Sequence, residues 1–516
     1  VNKTLDSGIR VADRGRNPFD RSGTVLGDDG ITRYTGLPTS LVKMLQDRAA
    51  ACPDTDAVIE LDGPTLTYRE LMERSARFAG GLRARGIGDG DRVAILLPSG
   101  VDWVLAFLGT MMAGAIPVPV NTRLSPGEVD QVVGDAQATL RMEPGAPLPD
   151  ADPVVPAQPA HRDIATIFYT SGTTGEPKGA MQTHEGLLTN AENAARSFPL
   201  DRELGPGELR TLIAIPLFHV TGCHTQLLTT LYLGGTSVIM PVLDVGRLLQ
   251  VIGDERINYL IGVPAIFKLA IMRPEFATTD VSGVRWVGYG GAPSSPTLIR
   301  EIQQAFANAR TYNGFGSTES SSLTSALPHE FSTSHIESVG FAMPVVDLAL
   351  FEPDPATGVG ELLVRAPNVV PGYWGKPERT AETIVNGWLH TGDLARIEDG
   401  LIYLADRARD VINRGGEKVY SVEIEAVLAS LDGVAESAVV GVTDDVMGEK
   451  VGALVVTTPG AVVTPDAVAA HVASRLADFK VPEYVVVQTD PLPRNPGGKL
   501  RKASIRADTK WGSPLR

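Results

Sequence analysis

From Leu41 onward, amphipathic stretches at helical spacing alternate with short apolar runs. Tyr68–Arg85 places apolar residues on one helical stripe and predicts a helix, whereas Arg92–Leu97 and Ala115–Val120 are brief apolar runs that predict buried strands. Thr211–Pro216, Ser237–Met240, Tyr259–Val263 and Trp286–Gly288 repeat the strand signal with helical spacers between them, which predicts a second α/β unit. Between about Gly340 and Tyr403 the spacing shortens into turn-separated β patterns, Val345–Phe351 and Gly360–Val364 among them, and predicts a small β subdomain. Beyond Arg409 the character changes again, with helical Ser421–Ser430 and Pro465–Leu476 and strand-like Ala435–Val442 and Val451–Thr457.

The expected fold class is therefore α/β. Residues 1–35, rich in Gly, Asp and Arg without periodicity, are expected to form an irregular extension. Residues 36–408 are expected to form a large domain of two α/β subdomains plus the β subdomain at about 340–403, and residues 409–516 a small α+β lid. Pro144–Pro159 is a Pro/Ala-rich connector. A chain of 516 residues exceeds the ~250–300 residues that one core usually serves, which also favours more than one domain.

Charge narrows the partners. The formal net charge of −15 disfavours nonspecific binding to nucleic acid or to an anionic membrane, so an anionic substrate has to be met by local positive groups. Cys52 and Cys223 are too few for a disulfide framework or a cysteine metal site. The sequence shows no long apolar run of membrane-spanning length, and the stretch from Val1 lacks a signal-like apolar core, so a cytoplasmic location is expected. Val1 in place of Met suggests a trimmed or processed terminus. The sequence leaves the oligomeric state open, a homodimer included.

The chemistry begins at Thr170-Ser171-Gly172-Thr173-Thr174-Gly175-Glu176-Pro177-Lys178-Gly179, which follows the apolar run Ile164–Tyr169 and precedes a helix-like segment. Glycines let backbone N–H groups face an anion, hydroxyls add donors and the lysine adds charge, so the stretch predicts a phosphate-holding loop between strand and helix. It is not a GxxxxGK[ST] loop, because Pro177 stands where the second glycine would be. An ordinary exposed turn is the plain alternative.

Further motifs follow in order: Tyr312-Asn313-Gly314-Phe315-Gly316-Ser317-Thr318-Glu319, Trp388-Leu389-His390-Thr391-Gly392-Asp393, Asp406-Arg407-Ala408-Arg409-Asp410 and Asn495-Pro496-Gly497-Gly498-Lys499. From about Leu41 to Lys502 the series resembles the adenylate-forming superfamily, which includes acyl-CoA synthetases, luciferases and peptide-synthetase adenylation domains. The resemblance implies ATP, Mg²⁺ and coenzyme A as cofactors and a small-molecule carboxylate as substrate. It implies that Thr170, Ser171, Gly172, Thr173, Thr174, Gly175 and Lys178 cover the β and γ phosphates, that Thr318 meets the α-phosphate and that Glu319 holds the metal ion. Asn313, Gly314, Phe315 and the turn Gly290-Gly291-Ala292-Pro293 would line the adenine. Phe315 stands where the family usually has tyrosine, so the stacking ring is kept and the hydroxyl is lost.

Asp393 resembles the ribose acceptor, Arg407 the arginine beside it, Arg409 the hinge and Lys499 the mobile lysine that meets the reacting carboxylate and α-phosphate. An ion pair between Asp406 and Arg407, or among their neighbours, is the plain alternative. Gly415, Gly416, Glu417 and Lys418 would enter the site as part of the pantetheine tunnel after the small domain turns. His219, Val220, Thr221, Gly222, Gly288 and Gly290 would line the acyl pocket. The small size of Thr221, Gly222, Gly288, Gly290 and Gly291 at or near this pocket suggests room for a bulky apolar acid, aryl, fatty or polycyclic, and a satisfied core histidine is the plain reading of His219. The implied reaction makes an acyl-adenylate and then a CoA thioester. Loading of a carrier protein's phosphopantetheine uses the same thiol chemistry, and a noncatalytic nucleotide-binding scaffold is the reading from another class.

Overall fold

Local signals set where the elements begin. Thr67 caps the helix Tyr68–Ala84 in a reciprocal box, with its hydroxyl accepting from Glu70 N while the Glu70 carboxylate accepts from Thr67 N at 2.8 Å. The helix Val101–Met112 is apolar nearly all round, and of its residues only Asp102 is not buried. Trp103 and Phe107 stack within it at 4.9 Å, at the heart of a core shared with Phe78, Ile95 and Leu187.

The computed structural model describes residues 8–171, 177–198, 200, 204, 207–291, 296–408, 410–414, 417–444, 446–495 and 500–515. Tyr259–Gly262, Trp286–Gly290 and Arg310–Phe315 are neighbouring parallel strands, with Trp286 opposite both Tyr259 and Arg310. Arg210–Ile213 and Thr236–Ile239 extend this parallel set on one side. On the other side Ser325–Leu327, Gly340–Ala342, Leu401–Arg407, Trp388–Glu398, Gly360–Arg365 and Asp347–Phe351 continue the same hydrogen-bonded path antiparallel. The β patterns after Gly340 thus join the parallel strands through hydrogen bonds. A separate three-stranded parallel sheet, Ile116–Pro119, Arg92–Ile95 and Leu140–Met142, packs Ile116 and Val118 against Ile167.

Two expectations are corrected. Residues 8–35 are not irregular throughout: Ile9–Val11 pairs antiparallel with Asp347–Phe351, and Thr24–Leu26 pairs with Thr32–Tyr34. Strands this short leave no readable period, and long-range bonds decide their conformation. Arg14 donates to Val346 O at 2.8 Å and to Met343 O at 2.7 Å, and Arg33 donates to Glu185 at 2.9 Å. The second correction concerns the phosphate loop. It joins two strands, Ile164–Ser171 and Pro177–Thr183, which pair antiparallel with Lys178 opposite Thr170, and the helix His184–Ser197 follows only after them. Backbone pairing across this hairpin wins over the helix-like pattern downstream.

In the C-terminal part, Val434–Asp444 and Gly448–Thr457 form an antiparallel pair, flanked by Tyr484–Gln488 and Ile412–Arg414. Successive residues of a strand face opposite sides. Val439 accordingly packs with Ile424, Leu428 and Val468, while Ala438 and Val440 pack with Leu492 and Ile505.

Candidate active site

Two neighbouring parallel strands deliver the central residues at their carboxyl ends, the position where open α/β sheets bind ligands. Trp286–Gly290 supplies Gly288 and Gly290, and Arg310–Phe315 supplies Asn313, Gly314 and Phe315. Gly290 lies opposite Gly314, and a Cβ at position 290 would stand 2.1 Å from Gly314 O, so the two strand ends meet backbone to backbone. Asn313 Nδ2 donates to Ser338 O at 3.2 Å. Phe315 is half-buried and packs beside the large antiparallel core.

Beyond Phe315 the chain turns sharply through Gly316 to Leu323. A Cβ on Gly316 would lie 1.4 Å from Ser322 O, so only glycine permits this closure. Thr318 O accepts from Gln182 Nε2 at 3.2 Å, and Glu319 O accepts from Val370 N at 2.9 Å. The Glu319 carboxylate accepts from the Tyr373 hydroxyl at 2.9 Å. Burial, and then the Glu319 charge, push the Tyr373 phenol well above its usual pKa, so it donates throughout the neutral range. Lys178 Nζ stands over the same tyrosine ring at 5.6 Å.

The segment Gly372–Trp374 also bonds the phosphate hairpin directly. Trp374 N donates to Gly179 O at 2.7 Å and Met181 N to Gly372 O at 3.0 Å. Tyr373 therefore joins the hairpin to the turn that carries Glu319. A half-buried carboxylate with one oxygen engaged by a phenol is a hard-oxygen setting that fits a magnesium ion.

Asp393 and Arg407 are directly opposed on neighbouring strands, and Arg407 Nε lies 3.2 Å from Asp393 Oδ1. Thr391 Oγ1 accepts from Asp393 N at 3.1 Å. Asp406 is buried and does not bond the guanidinium of its neighbour. Its Oδ1 accepts from Arg407 N at 2.7 Å, while its Oδ2 accepts from Ser421 N and from Ser421 Oγ. Ser421 opens the helix Ser421–Leu428, so Asp406 caps a helix on the far side of position 409. Lys502 Nζ continues the chain of contacts, donating to Ser421 Oγ at 2.6 Å and lying 2.7 Å from Glu425. Burial raises the Glu425 carboxyl against the opposing pull of Lys502.

On the acyl side, Pro216–Gly222 leaves the end of Arg210–Ile213 and passes into a π-helix, Thr221–Leu228. His219 and Val220 are half-buried, and the His219 ring lies 4.7 Å from Phe218. The small residues do not all open space, which corrects the expectation of room for the acid at two positions. A Cβ on Gly222 would meet Ile215 O at 2.5 Å, and Gly290 is consumed by its approach to Gly314. At Gly288 a Cβ would touch Ile261 at 3.2 Å, whereas at Gly291 the surroundings are open. Glu417 and Lys418 are exposed on the strand Glu417–Val419, opposite Arg414 and Asn413.

Gly172, Thr173, Thr174, Gly175, Ala292, Pro293, Arg409, Gly415, Gly416 and Lys499 lie outside the described residues, as does the Ser171 side chain. Several residues around the site escaped the sequence reading: Gln182, His224, Thr225, Asn368, Tyr373 and Asp406 as a cap. Tyr373 carries the one visible signal, an aromatic pair with Trp374 directly after Pro371-Gly372.

Comparison with known proteins agrees with this geometry. The family model described as AMP-binding enzyme matches residues 45–148 and 141–374, and the AMP-binding enzyme C-terminal domain matches 423–499. Feruloyl-CoA synthase of Amycolatopsis sp is 36% identical over 485 residues, covering 89% of this chain and 97% of the relative. The long-chain-fatty-acid–CoA ligase FadD13 of Mycobacterium tuberculosis is 33% identical over 498 residues, covering 90% and 97%. Among solved structures, o-succinylbenzoate CoA synthetase (MenE) of Bacillus subtilis with its acyl-adenylate intermediate superposes with a TM-score of 0.81 at 28% identity, covering 91% of this chain and 99% of that one. The same enzyme is also known with ATP and a magnesium ion.

Proposed function

The chain belongs to the AMP-binding enzyme family, and from that membership we infer that it is an ATP-dependent acyl-CoA synthetase. A carboxylate oxygen attacks the α-phosphorus of ATP, the bond to the β-phosphate oxygen breaks and pyrophosphate leaves. The CoA sulfur then attacks the acyl carbon, AMP leaves with one of the original carboxylate oxygens, and the thiol proton passes to solvent. The observation that carries the reading is the corner where Tyr373 joins the phosphate hairpin to Glu319, beside the Gly290–Gly314 contact of the strand ends.

In this reading Thr170 and Lys178, with Ser171–Gly175, hold the β and γ phosphates, and Thr318 meets the α-phosphate. Glu319 holds Mg²⁺, which supplies charge neutralisation for the phosphate oxygens. Asp393 accepts from the ribose hydroxyls, with Arg407 3.2 Å away to bond the sugar and phosphate side. Gly290, Gly291, Ala292, Pro293, Asn313, Gly314 and Phe315 enclose the adenine. Position 409 divides the large domain from the small one. Lys499 serves the first half-reaction, and the segment Gly415–Lys418 serves the second once the small domain has turned.

His219 and the Val220–Gly222 segment face the acyl group. The relatives' names place aryl and long-chain fatty acids first in the search. The test is carboxylate-dependent exchange of pyrophosphate into ATP across hydroxycinnamates, fatty acids and acetate, followed by CoA addition. Exchange with an aryl or fatty acid and consumption of free CoA is the expected result. Exchange without CoA consumption would assign the thiol to a carrier protein, activity confined to acetate would reject the hydrophobic pocket, and no exchange with any acid would favour a scaffold.

A further inference from the structure

The π-helix Thr221–Leu228 does more than leave the acyl face. Its consecutive residues His224, Thr225 and Gln226 are all buried, and together they tie the coil to a strand on one side and to a single turn on the other. Gln226 Nε2 donates to Leu212 O at 3.0 Å and anchors the coil to the strand Arg210–Ile213. Thr225 Oγ1 meets Ser322 Oγ at 2.6 Å, and His224 Nδ1 meets Ser321 O at 3.2 Å. Thr229 Oγ1 donates to His224 O at 3.1 Å, occupying a carbonyl inside the widened coil. Such π turns are uncommon and concentrate at functional sites.

What they hold is strained. Ser321 and Ser322 have φ of 50° and 107°, where a residue with a side chain is disfavoured and persists only when its surroundings impose it. These are the residues that close the turn after Thr318 and Glu319. The turn is held from other sides as well: Asn190 Oδ1 accepts from Leu323 N at 2.9 Å, and Asn368 Nδ2 donates to Ser320 O at 2.7 Å. The His224 ring also sits edge-on to Phe168 at 4.6 Å, on the strand that enters the phosphate loop. Burial holds this imidazole neutral, with its pKa lowered to about 3, so Nδ1–H donates to Ser321 O. Nε2 then has no hydrogen-bond partner among the described residues.

We propose that His224 and Thr225 are positioning residues for adenylation, holding the strained Ser321–Ser322 backbone so that Thr318 and Glu319 present their side chains to phosphate and metal ion. The proposal rests on the acyl-CoA synthetase reading above. Its test uses the full chain, pyrophosphate exchange with an acid that the parent enzyme accepts, and a magnesium titration. Thr225→Val keeps the shape and removes the hydroxyl, Ser322→Gly removes the partner hydroxyl while accepting the positive φ, and Thr225→Ser keeps the bond.

Thr225→Val is expected to lower the exchange rate about tenfold and to raise the magnesium concentration for half-maximal rate about fivefold, with the carboxylate KM within twofold. Ser322→Gly should move both quantities in the same direction, the double variant should fall no further than the worse single variant, and Thr225→Ser should stay within twofold of the parent. If both Thr225→Val and Ser322→Gly leave the rate and the magnesium dependence within twofold, the proposal is overturned. A parent enzyme that exchanges with no acid would instead overturn the functional reading.

Discussion

His184 gives the protein an acid-sensitive joint next to the phosphate hairpin. It opens the helix that follows the hairpin, is 2% exposed, and its Nδ1 accepts from Leu41 N at 3.3 Å at the start of another helix. Accepting that bond requires an unprotonated Nδ1. Burial lowers its pKa from 6.5 to about 4, with Asp163 pulling upward and His161 downward. Between those two values the unfolded chain binds a proton at position 184 that the native chain excludes. Stability is therefore intact above pH 6.5 and falls as the pH drops toward 4, at a limiting ~1.4 kcal/mol per pH unit. From pH 7 to pH 5 this amounts to about 2 kcal/mol for His184, and buried His224 adds a loss of similar size over the same interval.

The perturbation is His184→Asn, whose Oδ1 can take the Leu41 N–H without titrating. Urea unfolding followed at pH 7 and at pH 5 should show the variant losing about 2 kcal/mol less than the parent over the interval. The comparison cancels opposing contributions such as the raised carboxyl of Glu425, which favours the native state as pH falls. Parallel pH curves for parent and variant would refute the reasoning.

The other predictions concern the site and the junction between lobes. Gly316→Ala forces a Cβ against Ser322 O and should cut pyrophosphate exchange by at least about tenfold, ~1.4 kcal/mol of barrier, with the fold preserved by circular dichroism. An unchanged rate would mean that the turn relaxes freely. Asp406→Ala removes the cap of Ser421–Leu428 and leaves buried donors without an acceptor, so the denaturation midpoint should fall by the equivalent of about 3 kcal/mol. A loss under about 0.5 kcal/mol would remove the cap from the account. Lys499→Ala should abolish adenylation yet largely spare thioester formation from supplied acyl-adenylate, and equal loss in both half-reactions would contradict its role.

Much of the architecture was legible because burial enforces period. The apolar strands Thr236–Ile239 and Tyr259–Gly262 and the helix Tyr68–Ala84 read correctly from their spacing, since one face or both must be apolar. The phosphate hairpin did not, because Lys178–Thr183 pairs through its backbone and its side chains say little about whether helix or strand follows the glycines. Small size was read as room at Gly222 and Gly290, although at both positions it serves close backbone approach. The motif residues themselves were visible, but their supports were not. Tyr373 reaches Glu319 across 54 positions of sequence, His224 reaches Ser321 across 97, and neither spacing has a local signature.

The central claim is that a carboxylate oxygen bonds to the α-phosphorus and departs with AMP. It is tested most directly by supplying an accepted acid labelled with ¹⁸O in its carboxylate, together with ATP and CoA, and weighing the products. One labelled oxygen in each AMP and none in pyrophosphate is the expected result. Unlabelled AMP, or label in inorganic phosphate, would contradict it.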